Sequence, residues 1–237
     1  ASSSTERHDV PMLAIVGSGE YLAGMTAVDR DLLDLFDSPA RVVCLPTAAG
    51  TEGDPMIDDW MHRGVAHFTA LGADAAPVRV WDRTSADDVG LAEQVGAADL
   101  VYLSGGKPTH LFDSLNGSVV WQAILDVIGR GGLLVGCSAG AMIQGEVFAG
   151  FPRSHQGFGL WPGAHIVPHF DEIPTAVVSA MRLALGREHT LVGVDRNTAF
   201  LHADDTYRVI GERVTIWTRD DKVEFGPGEV PAGAMPS

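Results

Sequence analysis

The feature that most constrains the fold is a short apolar run that leads directly into a turn of small residues. Leu133, Leu134 and Val135 have the pattern of a buried strand, and the Gly-Cys-Ser-Ala-Gly segment at 136–140 allows a tight turn into a helix. Ser138 lies in the middle of this G-x-S-x-G pattern, which presents a serine hydroxyl at a sharp strand-to-helix turn. The pattern predicts either a nucleophilic serine or a glycine-rich turn that binds phosphate or only packs tightly.

Strand and helix patterns alternate about five times along the chain. Each strand-like run before the turn is followed by a segment with helical spacing, and these runs lie at 12–16, 41–45, 76–80 and 100–103. Such alternation predicts a three-layer α/β/α fold with a mostly parallel central sheet. Short β-rich runs between 191 and 217 predict C-terminal additions that complete the edge of the sheet and form an antiparallel ribbon.

Length, charge and hydropathy limit the class of protein. With 237 residues and 46% apolar composition, residues 12–237 suit one α/β catalytic domain, whereas the polar residues 1–11 predict a disordered tail or a remnant of expression. The formal charge of −15 argues against nucleic acid as a partner. We find neither a signal-peptide pattern nor an apolar run of roughly 18 residues, so we expect a cytoplasmic protein without a membrane partner.

Loops at the carboxyl ends of the parallel strands are the expected place for a site, because ligands bind there in open α/β sheets. The loops that we expect to meet follow Val16, Leu45, Leu103 and Val135. The first of them resembles half of a dinucleotide-binding fingerprint, but Leu22 stands where its third glycine belongs, which disfavours a nicotinamide site. The glycine-bearing segments 104–107 and 136–140 can each offer a backbone N–H to one oxyanion.

A nucleophilic serine needs a base within hydrogen-bond distance. Among nine histidines, His169 follows a strand-like run and a proline, in a loop expected at the same sheet edge. A solvent-exposed loop histidine before a helix is the alternative interpretation. Cys44 and Cys137 each lie at the end of an apolar run, which predicts buried free thiols rather than a disulfide or a metal site.

Three separated motifs together resemble the serine peptidase family that contains dipeptidase E and cyanophycinase. They are Gly105-Gly106, Gly136-Cys137-Ser138-Ala139-Gly140-Ala141 and Pro168-His169-Phe170. Further segments similar to the end of cyanophycinase-like chains are Gly193-Val194-Asp195, Thr198-Ala199 and Val209-Ile210-Gly211. The resemblance spans about residues 12–217 and implies a fold similar to class I glutamine amidotransferases, with serine in place of their nucleophilic cysteine.

The resemblance implies a Ser-His pair, with Ser138 as the nucleophile and His169 as the base. It also implies an oxyanion hole formed by the backbone N–H groups of Gly106 and Ala139. A reaction of this kind proceeds through a seryl acyl-enzyme and requires neither a metal nor a cofactor.

The acid that would orient the imidazole is left open by the sequence. We prefer Glu146, the one carboxylate in the loop after the nucleophile, while Asp171 and Glu172 are the alternatives because they closely follow His169. Glu146 also fits a solvated helix end.

Lys107 departs from the family pattern, which usually has Asn or Asp directly after the two glycines. Lys107 or Arg153 can serve as the cation that binds a substrate carboxylate, although Lys107 also fits a lysine that points to solvent. We expect a serine peptidase that acts on short peptides or isopeptide-type amides. A small-molecule esterase or amidase and a non-catalytic binding domain remain alternatives, and a homodimer is left open.

Overall fold

The computed structural model describes residues 11–149, 154–184 and 188–235. Except for Pro11, the predicted tail at residues 1–11 lies outside these ranges, as does Arg153. The strands are β1 (Met12–Val16), β2 (Arg41–Leu45), β3 (Asp74–Pro77), β4 (Leu100–Leu103), β5 (Leu133–Cys137), β6 (Gly145–Phe148), β7 (His155–Gln156), β8 (Trp161–Val167), β9 (Thr190–Val194), β10 (Ala199–Ala203), β11 (Thr206–Ile210), β12 (Val214–Trp217), β13 (Lys222–Phe225) and β14 (Gly228–Val230).

The helices alternate with the early strands as predicted. They are α1 (Thr26–Leu33), α2 (Asp54–Ala70), α3 (Arg83–Ala86), α4 (Val89–Gly96), α5 (Pro108–Leu115), α6 (Val119–Gly129), α7 (Ala139–Met142) and α8 (Thr175–Ala184). Short 3-10 turns occupy Ala23–Met25, Thr47–Ala49, Phe170–Glu172 and Ala232–Ala234.

The central sheet of the described residues has eight strands in the order β14-β11-β10-β1-β5-β4-β2-β3. The five strands from β1 to β3 in this order pair in parallel, and β10, β11 and β14 add an antiparallel edge. The predicted mostly parallel sheet with β-rich C-terminal additions is confirmed. Only the third strand is displaced, because it ends at Pro77 rather than at the expected Val80.

Helices cover both faces of the central sheet, so its strands are buried on both sides. Along β1, Leu13 and Ile15 face one core, to which α6 contributes Ile124, while Ala14 and Val16 face the other. The second core also contains Val28 of α1 and Phe68 of α2. This two-sided burial explains why the early strands read as continuous apolar runs.

A second sheet was not expected from the sequence. It has six strands within the described residues, in the order β13-β12-β9-β8-β6-β7, and packs into the core that contains Leu13 and Ile15. As predicted, the β-rich runs between 191 and 217 add strands to the edge of the central sheet and form an antiparallel ribbon, but the ribbon belongs to the second sheet. Strands β9 and β12 belong to the second sheet, and β10 and β11 belong to the first, because the chain crosses between sheets at short turns that periodicity does not reveal.

Cys44 and Cys137 are buried and free, as predicted. Within the described part of the chain, no helix is both long enough and apolar enough to cross a membrane.

Candidate active site

The predicted convergence of loops at the carboxyl edge of the central sheet is confirmed by backbone hydrogen bonds. The Ser138 N–H, just after β5, donates to the Val16 carbonyl at the end of β1 (3.1 Å). The Lys107 N–H, after β4, donates to the Ala48 carbonyl after β2 (2.8 Å). The first bond joins the loops after β1 and β5, and the second joins the loops after β2 and β4.

Ser138 occupies a strained turn between β5 and α7, with φ 51° and ψ −108°. A non-glycine residue rarely adopts a positive φ, and such strain is concentrated at functional sites. Both glycines of the motif are sterically required. A Cβ at Gly136 would lie 2.5 Å from the Gln144 amide nitrogen, and one at Gly140 would lie 2.5 Å from the Leu103 carbonyl oxygen. The small residues therefore allow the turn to expose the serine hydroxyl.

His169 reaches the serine from the second sheet, since it follows β8. Its Nε2 lies 3.1 Å from Ser138 Oγ, which is hydrogen-bond distance. His169 has a left-handed backbone conformation, with φ 53° and ψ 32°, and its N–H donates to the Gly17 carbonyl (3.3 Å). The next residue, Phe170, packs against Gly193, where a Cβ would lie 2.7 Å from the ring atom Cδ1. The structure thus brings together the two residues that the sequence singled out.

Glu172, rather than Glu146, is the carboxylate beside the imidazole. Glu172 Oε2 lies 3.5 Å from His169 Nδ1, the ring nitrogen that faces away from the serine. Glu146 is engaged elsewhere, because its Oε2 accepts the Gly163 N–H (2.7 Å) and its Oε1 lies 3.6 Å from His189 Nε2. The preference for Glu146 is therefore corrected: this residue is on β6, whereas Glu172 is on the 3-10 turn that directly follows the histidine.

The guanidinium of Arg196 holds Glu172 in this position. Arg196 Nη2 lies 3.2 Å from Glu172 Oε1, so the carboxylate bridges the guanidinium and the imidazole. The Arg196 N–H donates to Asp171 Oδ1 (2.8 Å), which ties the 3-10 turn to the loop after β9. Asp171, the other alternative for the acid, therefore binds backbone.

Of the two backbone donors predicted for an oxyanion hole, Ala139 follows Ser138 in the chain and Gly106 follows Gly105, where a Cβ would lie 3.2 Å from Ser138 Cβ. Ala139 is the first residue of α7, and Gly106 has φ 141° in the loop after β4. A Cβ at Gly106 would lie 2.5 Å from the Ala48 carbonyl oxygen, so only glycine fits there. Among the described residues, neither the Gly106 N–H nor the Ala139 N–H has a hydrogen-bond acceptor. Both donors are thus free for a ligand oxygen.

The predicted substrate-binding cations are less defined. Lys107 is the N-cap residue that precedes α5 and is exposed, and no carboxylate of the described residues lies within ion-pair distance of its ammonium group. Arg153 lies outside the described residues. In residues 11–149, 154–184 and 188–235, no cluster of three or more His, Cys, Asp or Glu side chains is arranged to hold a metal ion.

Two residues at the site were missed by the sequence reasoning. Arg196 is preceded by the Gly193-Val194-Asp195 segment, but nothing in that segment indicates an ion pair with a residue 24 positions earlier. Glu20 accepts the Gly105 N–H (2.9 Å) and the Cys137 thiol (3.0 Å). The sequence did offer a signal for Glu20, because this carboxylate directly follows Gly17-Ser18-Gly19 in a loop expected at the carboxyl edge of the sheet.

The fold and the Ser-His arrangement define a class, that of α/β hydrolytic enzymes with a serine presented at a strand-to-helix turn. The model of peptidase family S51 matches residues 13–210, so the chain belongs to peptidase family S51 and is a serine peptidase. The predicted family is thereby confirmed.

Solved structures agree with this assignment. A peptidase from an acI-B1 Actinobacterium is 30% identical, with a TM-score of 0.84, and the match covers 93% of this chain and 96% of that one. A putative peptidase E protein from Listeria monocytogenes EGD-e is 15% identical, with a TM-score of 0.59 over 91% of this chain and 98% of that one, and shares the fold. No protein with a curated description matches the chain in sequence.

Proposed function

We propose that this serine peptidase hydrolyses short peptides or isopeptide-type amides through a seryl acyl-enzyme. The observation that carries the proposal is the 3.1 Å separation of Ser138 Oγ and His169 Nε2 at a turn with positive φ. A serine hydroxyl is a weak nucleophile until an adjacent base accepts its proton. His169 has the position for that role.

In the proposed reaction, Ser138 Oγ attacks the scissile carbonyl carbon while His169 Nε2 takes the hydroxyl proton. The carbonyl oxygen becomes an oxyanion, which the N–H groups of Gly106 and Ala139 stabilise. Collapse of this intermediate breaks the C–N bond, and the imidazolium returns the proton to the leaving amine. Water then attacks the ester by the same sequence and releases the acid product.

Glu172 takes the place of the orienting acid in this proposal. With the proton on Nδ1 directed at Glu172, Nε2 of His169 presents its lone pair to the serine. The 3.5 Å contact is longer than a hydrogen bond, and catalytic hydrogen bonds of unliganded enzymes often shorten when substrate binds. The bridge to Arg196 supports Glu172 over Glu146 for this role.

Lys107 supports the peptide part of the proposal, because it directly follows the oxyanion loop and has an exposed ammonium group. A cation at this place suits a substrate with an acidic side chain close to the scissile bond, such as an aspartyl peptide. Arg153 is the second proposed cation.

The nucleophile is tested with a fluorophosphonate probe, which phosphonylates activated serines. We expect one label per chain, located on Ser138 by peptide mapping, and no label in Ser138→Ala. Ser38→Ala is the control, because Ser38 is exposed and its replacement leaves every residue of the site in place. Wild-type protein that takes no label, or Ser138→Ala that hydrolyses peptides at the wild-type rate, contradicts the proposal and favours a binding domain.

Substrate class is tested with a panel of Asp-X dipeptides, Ala-X dipeptides, β-aspartyl isopeptides and p-nitrophenyl esters. A peptidase prefers one of the amide sets, whereas turnover of esters alone indicates an esterase. Lys107→Ala should raise KM for the acidic peptides by about tenfold, the effect of losing one charge-assisted contact, and leave Ala-X unchanged. Lys222→Ala, on β13, is the matched control.

A further inference from the structure

Glu20 lies between the two loops that flank the nucleophile. Its Oε1 accepts the Gly105 N–H at 2.9 Å, and its Oε2 accepts the Cys137 thiol at 3.0 Å. Gly105 directly precedes the proposed oxyanion donor Gly106, and Cys137 directly precedes Ser138. One partly buried carboxylate therefore binds both the residue before the proposed oxyanion donor and the residue before the proposed nucleophile.

The Cys137 thiol is well suited to remain a donor in this arrangement. Burial, together with the adjacent Glu20 carboxylate, raises the pKa of the Cys137 thiol well above its ordinary value. The thiol therefore stays protonated at neutral pH, and its hydrogen can stay directed at Glu20.

The loop that carries Glu20 is held on both sides of this residue. Gly19 has φ 95° and Tyr21 has φ 62°, so the backbone changes direction sharply before and after Glu20. The Asn197 N–H donates to the Ser18 carbonyl (2.9 Å). The Tyr21 ring lies among the aromatic rings of Trp60, His67, Phe68 and Tyr102. The carboxylate is thus presented by a loop with little freedom to move.

Contacts around Gly105 show how close this carboxylate comes to the nucleophile. A Cβ at Gly105 would lie 2.5 Å from Glu20 Oε1 and 3.2 Å from Ser138 Cβ. The carboxylate and the nucleophilic residue therefore press against the same side of Gly105. Because Glu20 already takes the Gly105 N–H, the next donor along the loop, the Gly106 N–H, is the one left for a substrate oxygen.

We propose that Glu20 is a positioning residue for the reaction, which holds Gly105 and Cys137 so that the Gly106 N–H and the Ser138 hydroxyl face the same carbonyl group. The proposal rests on the proposed function, since it assigns Glu20 a role in that mechanism. Each oxygen of the Glu20 carboxylate accepts one of the two hydrogen bonds, so a single side chain can fix both loops. Glu20 itself transfers no proton, because His169 Nε2 already lies beside the serine hydroxyl.

The test compares Glu20→Ala, Glu20→Gln and the exposed control Glu93→Gln in steady-state assays with the preferred peptide. Thermal unfolding and the rate of fluorophosphonate labelling are measured alongside. We expect Glu20→Ala to lower kcat by about 10²-fold, the size of losing one oxyanion donor, with KM within about threefold of wild type. Glu20→Gln keeps an acceptor for Gly105, so it should recover at least about tenfold of that loss.

Cys137 gives an independent variant. Cys137→Ala removes one of the two bonds to Glu20 and should lower kcat by about tenfold, while the exposed control Glu93→Gln should leave kcat unchanged. If Glu20→Ala fails to fold, Glu20→Gln and Cys137→Ala decide the question, and wild-type kcat in both overturns the proposal.

Other outcomes separate this proposal from the proposed function. Wild-type kcat in folded Glu20→Ala overturns the positioning role and leaves the function intact. A rise in KM alone also overturns it, because it indicates substrate binding instead. Wild-type protein that neither labels at Ser138 nor cleaves any substrate overturns both.

Discussion

Gly193 offers a test of how His169 is held, because it lies under Phe170 and away from the reacting atoms. A Cβ at position 193 would lie 2.7 Å from Phe170 Cδ1, and closer to two other ring atoms. Carbon atoms pack at about 3.5–4.0 Å, so Gly193→Ala must push the ring away by about 1 Å. The N–H of the adjacent His169 donates to the Gly17 carbonyl (3.3 Å), and a shift of the backbone at this point would strain that hydrogen bond.

Displacing a catalytic group by about 1 Å can cost about 10²-fold in rate. We therefore expect Gly193→Ala to lower kcat/KM by about 10²-fold and to slow fluorophosphonate labelling by a similar factor. Overpacking should also reduce the unfolding free energy by about 1–3 kcal/mol, measured by urea titration.

The matched control is Gly226→Ala, because a Cβ at Gly226 meets no atom within 4 Å. Phe170→Leu in the Gly193→Ala background frees space and should restore part of the activity. Folded Gly193→Ala with wild-type kcat/KM and labelling rate would refute the reasoning, since it would show that the ring position does not control His169.

Two further predictions concern charged groups. Glu172→Gln should lower kcat by about 10²-fold and Arg196→Ala by about tenfold. Because both residues act through His169, the double variant should lose little more activity than Glu172→Gln alone. A double-mutant cycle measures this coupling, and additive losses would contradict a shared role. Burial lowers the pKa of His165 from 6.5 to about 4, so between these pH values the unfolded chain binds more protons and stability falls as pH falls, by about 3 kcal/mol across the window. Urea titrations at pH 7 and 4.5 should show this loss in wild type and a smaller one in His165→Gln, and equal losses would contradict it.

The sequence predicted much of the central sheet and half of the site. The early strands are buried on both faces, so their apolar runs are long and easily recognised, and each precedes a loop at the same sheet edge. Ser138 was found because its turn requires glycine on both sides, a requirement that leaves a short-range pattern. His169 was found because it follows a strand and a proline.

The rest depends on contacts between distant segments, which leave no pattern at fixed spacing. Whether a β-rich run joins the first or the second sheet depends on turns such as Asp195–Thr198, where the chain leaves β9 and enters β10. The choice among Glu146, Asp171 and Glu172 depends on the partner that each side chain meets in the fold, and only Glu172 lies beside His169 Nδ1. Glu20 illustrates the same limit, since its partners are 85 and 117 positions away in the chain.

The two sheets divide the proposed catalytic pair between them, since Ser138 follows β5 of the first and His169 follows β8 of the second. Gly17, which directly follows β1 of the first sheet, joins the halves because its carbonyl accepts the His169 N–H. Hydrolysis by this pair therefore depends on how the two sheets pack together, since a displacement of about 1 Å can cost about 10²-fold in rate. A small separation of the sheets would reduce activity while every strand and helix stayed intact. Activity therefore reports on the packing of the two sheets, to which the far-UV circular dichroism spectrum is insensitive.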